Sequence, residues 1–170
     1  MTSKKTTQQI EQNRNTECYS YLLKILNYKD SSRNELINKA LQKDYTTDQI
    51  KEAITLLIGQ RFQNDERLVE NYVYGYREEK GKKYIKQKLL LRGVSEALID
   101  KHLNQYEESL SDKIMLNIIH KYKINRNTFQ YAKDEYITTQ KIYQYLYQQG
   151  FSEITSPVPA IKLFVEKYYK

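Results

Sequence analysis

The sequence predicts an all-α protein: three tandem three-helix, helix-turn-helix-like repeats forming an elongated, curved array. Three observations carry this. Apolar residues fall at helical spacing, as at Tyr19, Leu22, Leu23 and Leu26, or at Ile50, Ala53, Ile54 and Leu57. Capping signals stand just before such stretches, in Ser32-Arg33-Asn34-Glu35 and Thr46-Thr47-Asp48-Gln49. Finally, the order of cap, core and stop returns twice along the chain, the mark of a repeat protein.

Residues 1–15 are mostly Lys, Thr, Gln and Asn around a single Ile10, too polar to offset the entropy of ordering, and are expected to form a mobile tail. A first helix is expected from Cys18 to Asn27, followed by a turn at Lys29-Asp30-Ser31. In the next helix Leu36 and Ala40 share a face, with Ile37 and Leu41 beside them. Asp44 marks a stop and Tyr45 returns to the core, while Thr46 opens a third helix that Gly59 ends. Asn64-Asp65 begins the next unit.

Sliding this pattern by 49 positions sets Ser32 on Gly81, Leu36 on Ile85, Ala40 on Leu89, Asp44 on Gly93, Tyr45 on Val94, Thr46 on Ser95, Ile50 on Ile99 and Ile54 on Leu103. A further slide of 57 sets Gly81 on Thr138, Ile85 on Ile142, Leu89 on Leu146, Gly93 on Gly150, Val94 on Phe151 and Ser95 on Ser152. The modules are expected at 16–64, 65–111 and 112–170. The third departs from the pattern. Its first two helices are separated by a longer segment, Lys123 to Tyr136, and Pro157 and Pro159 interrupt the start of its last helix, expected over Ala160 to Tyr169.

With 170 residues the chain can bury a real core, and its net charge of +7, with 29% of residues charged, favours anionic partners. The lone Cys18 forms no disulfide within the chain and suits a reducing cytoplasm. No apolar run approaches the roughly 20 residues that span a bilayer, and the polar start has no signal core. The expectation is a soluble cytoplasmic protein with no membrane contact.

Signals for enzyme chemistry are poor. His102 and His120 stand alone, with no second His or Cys at metal-ligand spacing, and Cys18 sits among apolar residues. Glu78-Glu79 and Glu107-Glu108 are adjacent in sequence and splay apart on a helix. Gly75, Gly81 and Gly93 follow no strand and form no phosphate loop. No catalytic residue, cofactor or metal is expected.

The functional signal is a basic run, Lys80, Lys82, Lys83, Lys86, Lys88 and Arg92, with no acidic residue between Lys80 and Arg92. On a helix, Lys82 and Lys86 flank the Ile85–Leu89 line on one side and Lys88 and Arg92 on the other. Such rims suit phosphates or an acidic protein. Tyr72 and Tyr76 share a face, expected to be the packed one, while Tyr74 points away and is the tyrosine most open to stacking on a base.

Over residues 17–155, and most strongly over 31–103, the chain resembles the RecX family of bacterial recombination regulators. The resemblance rests on Ser32-Arg33, Glu35-Leu36, Asp65, Arg67, Tyr72-Val73, Gly81, Lys83, Ile85, Leu89 and Gly93-Val94, in that order and spacing. Leu68-Val69 stands where the family usually has Phe-Ala, and Tyr84 where it usually has a basic residue. The resemblance implies a protein without a catalytic centre, lying in the helical groove of the RecA filament on single-stranded DNA. There it hinders filament growth and curbs strand exchange, ATP hydrolysis and co-protease activity. The implied partners are the RecA filament and single-stranded DNA, met directly or through the filament, and the free chain is expected to be a monomer. The residues expected to meet them are Arg33, Arg67, Tyr74, Arg77, Lys80, Lys82, Lys83, Lys86, Lys88 and Arg92. Two other readings remain open: a self-sufficient helix-turn-helix DNA-binding protein, and a helical scaffold for another acidic partner. Against the first, the middle helices carry few outward Asn, Gln or Arg side chains to read base edges.

Overall fold

The computed structural model describes residues 16–168; the expected tail over 1–15 and the end of the expected last helix at Tyr169 lie outside them. Among the described residues there are nine helices and no strand. They are α1 (16–28), α2 (Arg33–Leu41), α3 (Thr47–Gly59), α4 (Asp65–Tyr76), α5 (Lys82–Leu91), α6 (Glu96–Leu103), α7 (Asp112–Tyr122), α8 (Ala132–Gln148) and α9 (Pro157–Tyr168). No helix among the described residues is long and apolar enough to cross a membrane.

Local chemistry sets most of these boundaries. Ser32 and Glu35 exchange hydrogen bonds at the start of α2, at 2.8 and 3.0 Å, and Thr46 and Gln49 do the same for α3. The Asn64 side chain accepts from the Arg67 N–H at the head of α4, and that of Ser111 from the Ile114 N–H at the head of α7. The stops are equally regular. Asp44, Gly93 and Gly150 all take left-handed backbone, with φ of 58°, 75° and 83°. In each copy the next residue donates back five positions: Tyr45 to the Ala40 carbonyl, Val94 to Leu89 and Phe151 to Leu146. This is the Schellman motif, and its apolar contact explains why an apolar residue follows each stop.

The chain gathers into two compact units, one running up to Asn71 and including Leu89–Ile99, the other comprising Tyr72–Lys88 and Asp100 onward. In the first, Leu22 of α1, Leu36 and Ala40 of α2, and Ile50, Ala53, Ile54 and Leu57 of α3 form the core. In the second, Ile114, Ile118 and Ile119 of α7 pack with Ile142 and Leu146 of α8 and with Ile161, Phe164 and Val165 of α9. The positions matched by the repeat are buried alike: Leu36, Ile85 and Ile142 are 0% exposed. Burying a side chain of this size contributes about 1.5–3 kcal/mol, so the recurring sites are where folding energy concentrates.

Two expectations are corrected. Pro157 and Pro159 do not interrupt the last helix: α9 begins at Pro157 and takes both in its first turn. N–H groups there have no intrahelical acceptor, so proline loses nothing. Second, α8 starts at Ala132, so the segment after α7 is 123–131 rather than reaching Tyr136, and Lys123 is left-handed at φ 52°. Gly59 ends α3, as expected, and the left-handed residue of the turn that follows is Arg61, at φ 62°. The Phe62 N–H then bonds back to the Leu57 carbonyl.

Candidate nucleic-acid interface

The start of α5 is held by partners distant in sequence. Gly81 meets the backbone of Gly150 so closely that a Cβ on it would come within 2.2 Å of the Gly150 carbonyl oxygen. The Gly81 N–H donates to the Gln149 carbonyl at 3.0 Å and the Lys83 N–H to the Gly150 carbonyl at 3.2 Å. The remaining first-turn donor, the Lys82 N–H, reaches Glu108 Oε1 at 2.6 Å. Glu108 is buried, and its other oxygen accepts from the Ser152 and Glu153 N–H groups at 2.9 and 2.8 Å. A single carboxylate thus fastens α5 to the turn after α8, and its negative charge suits the helix N-terminus.

From this anchor the side chains of the basic run diverge. Ile85 and Leu89 are buried, as the helical spacing requires. Lys82 Nζ sits 2.9 Å from both Glu153 oxygens, and Lys86 Nζ 2.7 and 3.0 Å from those of Asp100. Arg92 donates to Glu35 at 2.8–3.1 Å and to the Asp30 carbonyl, while its own carbonyl accepts from the Ser32 hydroxyl. Burial alone would push the Glu35 carboxyl up, but the Arg92 guanidinium and the Ser32 N–H outweigh it and hold the group below its ordinary value. The run free of acids in sequence is therefore partly neutralised in space. Lys80 Nζ donates to the Gln149 amide oxygen.

Two cations of the run stand apart. Lys83 and Lys88 are exposed, and neither pairs with a carboxylate among the described residues. Lys83 Nζ lies 5.0 Å from the centroid of Tyr147, itself 68% exposed. Lys88 Nζ lies 5.4 Å from Tyr84, and Lys80 Nζ 5.0 Å from the same ring. Ammonium groups beside tyrosine rings offer a phosphate a counter-charge and a base a stacking face.

The other expected residues scatter. Arg33, Arg67 and Arg92 belong to the first unit, and Tyr74, Arg77, Lys80, Lys82, Lys83, Lys86 and Lys88 to the second. Arg33 is exposed, with its backbone N–H on Asp65 at 2.9 Å. The Arg67 guanidinium ties the turn before α4, donating to the Phe62 carbonyl at 3.1 Å with Asp30 at 3.9 Å. Tyr74 is 71% exposed, as expected, and carries the Arg77 guanidinium 4.6 Å from its ring. Tyr72 and Tyr76 do share a face, with centroids 4.5 Å apart, but Tyr76 is 39% exposed rather than packed away. Sequence reasoning missed Glu108 and the tyrosines at 84 and 147. The partners of Glu108 lie 26, 44 and 45 residues away, so no local pattern announces it.

Comparison with known proteins places this geometry in a family. Residues 64–103, which hold α4 to α6, match the model of the second three-helix domain of RecX. The chain is 36% identical over 89 residues to the regulatory protein RecX of Haemophilus ducreyi, covering 52% of this chain and 59% of that one. With the regulatory protein RecX of Haemophilus influenzae it shares 32% identity over 136 residues, 78% of this chain and 86% of the relative. Its fold is that of the crystal structure of RecX from Lactobacillus salivarius, with a TM-score of 0.66 at 24% identity over 91% of this chain and 96% of the other. Sharing about a third of its residues with a regulatory protein RecX over 86% of that relative's length, the chain belongs to the RecX family of regulatory proteins.

Proposed function

We propose that this protein regulates the RecA recombinase, lying along the groove of the RecA filament on single-stranded DNA and limiting filament growth, strand exchange and co-protease activity. It does so as a monomer in the cytoplasm, by occupying space rather than by catalysis. The reading takes the chain as three-helix modules over 16–64, 65–111 and 112–170. Membership of the RecX family supports it, and the observation that carries the nucleic-acid part is the pair of exposed, carboxylate-free ammonium groups on Lys83 and Lys88.

The test is ATP hydrolysis by RecA on single-stranded DNA, with and without this chain, beside a duplex-binding control. Inhibition is expected well below one copy per RecA. Lys83→Glu with Lys88→Glu should weaken association with single-stranded DNA and lower its log–log salt slope by about 1.4, roughly 0.7 for each lost phosphate contact. Full inhibition by that double variant removes the two lysines from the interface. Tight, sequence-specific duplex binding with RecA unaffected favours a helix-turn-helix DNA-binding protein instead.

A further inference from the structure

The first unit carries a second recognition surface, in the cleft of the α2–α3 hairpin. Arg33, Ile37 and Leu41, spaced by four along α2, face Thr47, Ile50, Lys51 and Ile54 of α3 across a cavity of about 160 Å³. Leu36 and Ala40 of α2 already fill the core, so Ile37 and Leu41 form a second apolar stripe on the same helix. Leu41 is 46% exposed, and Ile58, one turn beyond Ile54, is 43% exposed. The cavity has room for one large apolar side chain.

Charge selects the occupant. The ionisable groups lining the cleft are both cations, Arg33 and Lys51, and neither pairs with a carboxylate side chain among the described residues. Asp65 is not among the lining residues; it accepts from the Arg33 backbone N–H at 2.9 Å and from the Gln63 amide at 2.7 Å. An apolar floor lined by two cations and no carboxylate is complementary to a helix that presents one or two apolar anchors between acidic residues. Residues 1–15 do not fit that description, since Lys4, Lys5 and Arg14 outnumber Glu11. We propose that the α2–α3 cleft docks an acidic, amphipathic segment of a partner protein, anchored by a leucine- or phenylalanine-sized side chain beside Leu41. This stands whether or not the lysines of α5 meet nucleic acid.

The probe is a synthetic 12-residue peptide with two leucines four apart among glutamates, titrated by fluorescence anisotropy into the full chain. Its control has every glutamate replaced by lysine. Saturable binding of the acidic peptide is expected, with at least tenfold weaker binding of the control. Leu41→Asp should weaken binding at least tenfold and Lys51→Glu severalfold, with circular dichroism unchanged. Methyl resonances of Ile37, Leu41, Ile50 and Ile54 should shift on titration. Equal binding of both peptides, indifference to Leu41→Asp, or shifts confined to other methyls overturns the proposal. A dimer of the free chain that Leu41→Asp dissociates would make a second copy the occupant and also overturn it.

Discussion

Replacing Glu108 by Ala leaves three backbone N–H groups, those of Lys82, Ser152 and Glu153, without the acceptor that holds them at 2.6–2.9 Å. Hydrogen bonds to a charged group contribute about 1.5–3 kcal/mol each where they are dry. Here the three share one carboxylate, and water can reach the orphaned donors once the side chain is gone. About 1 kcal/mol per donor, or about 3 kcal/mol in all, is the expected loss. For a unit of this size that is a fall in Tm on the order of 10–20 °C. Glu108→Gln keeps one acceptor oxygen but turns an NH₂ group toward the remaining donors, so about half the loss is expected. Urea and thermal unfolding followed by circular dichroism measure the totals, and native-state amide exchange at the three donors localises them. A loss under about 1 kcal/mol, or unchanged protection of those amides, refutes the claim that Glu108 fixes the start of α5.

Three further outcomes follow from the same geometry. Gly150→Ala should destabilise by about 3 kcal/mol or more, since it adds a Cβ 2.4 Å from the Tyr84 backbone nitrogen at φ 83°; Gly75→Ala, with open space inside a helix, should stabilise by about 0.5–1 kcal/mol, as paired melts will tell. Because the Glu35 carboxyl is depressed on folding, its contribution is complete above its ordinary value of 4.5 and drains away as pH falls through the lower folded value. Stability of the wild type should therefore drop on acidification below about pH 4.5, and Glu35→Gln should show a shallower drop in urea melts across that range. Burial pushes the Cys18 thiol up to about 11, so an aromatic disulfide reagent at pH 8 should leave the folded protein unmodified and react at once in urea; rapid labelling of the native chain would contradict that burial.

What was legible in the sequence is what local chemistry decides. The capping boxes at Ser32 and Thr46, the left-handed stops at Asp44, Gly93 and Gly150, and the buried trio Leu36, Ile85 and Ile142 all depend on residues within a turn or two of one another. The prolines of α9 were not legible in the same way, because proline breaks a helix only where its missing N–H would have had an acceptor, and a first turn has none. The interface was the least legible part. Whether a lysine is free depends on carboxylates such as Glu153 and Asp100, 71 and 14 residues away, which no count of acids within the run could find.

That pairing ranks the cations for any polyanion. A lysine beside a carboxylate presents a dipole rather than a charge, and its field falls off faster with distance, so Lys83 and Lys88 set the reach of the surface. Exposed ion pairs contribute about 0–1 kcal/mol, and the Glu153 and Asp100 side chains are 50% and 41% exposed. Under the proposed function, a phosphate arriving at Lys82 would have only this exposed pair with Glu153 to displace, so Lys82 is expected to engage after Lys83 and Lys88. Arg92 differs. Its side chain is only 16% exposed and holds Glu35 and the Asp30 carbonyl together, so drawing it toward a phosphate would strand a half-buried carboxylate. Its charge belongs to the joint between α2 and the end of α5, and Arg92→Ala should appear first as lost stability of the first unit, with weaker binding only as its consequence.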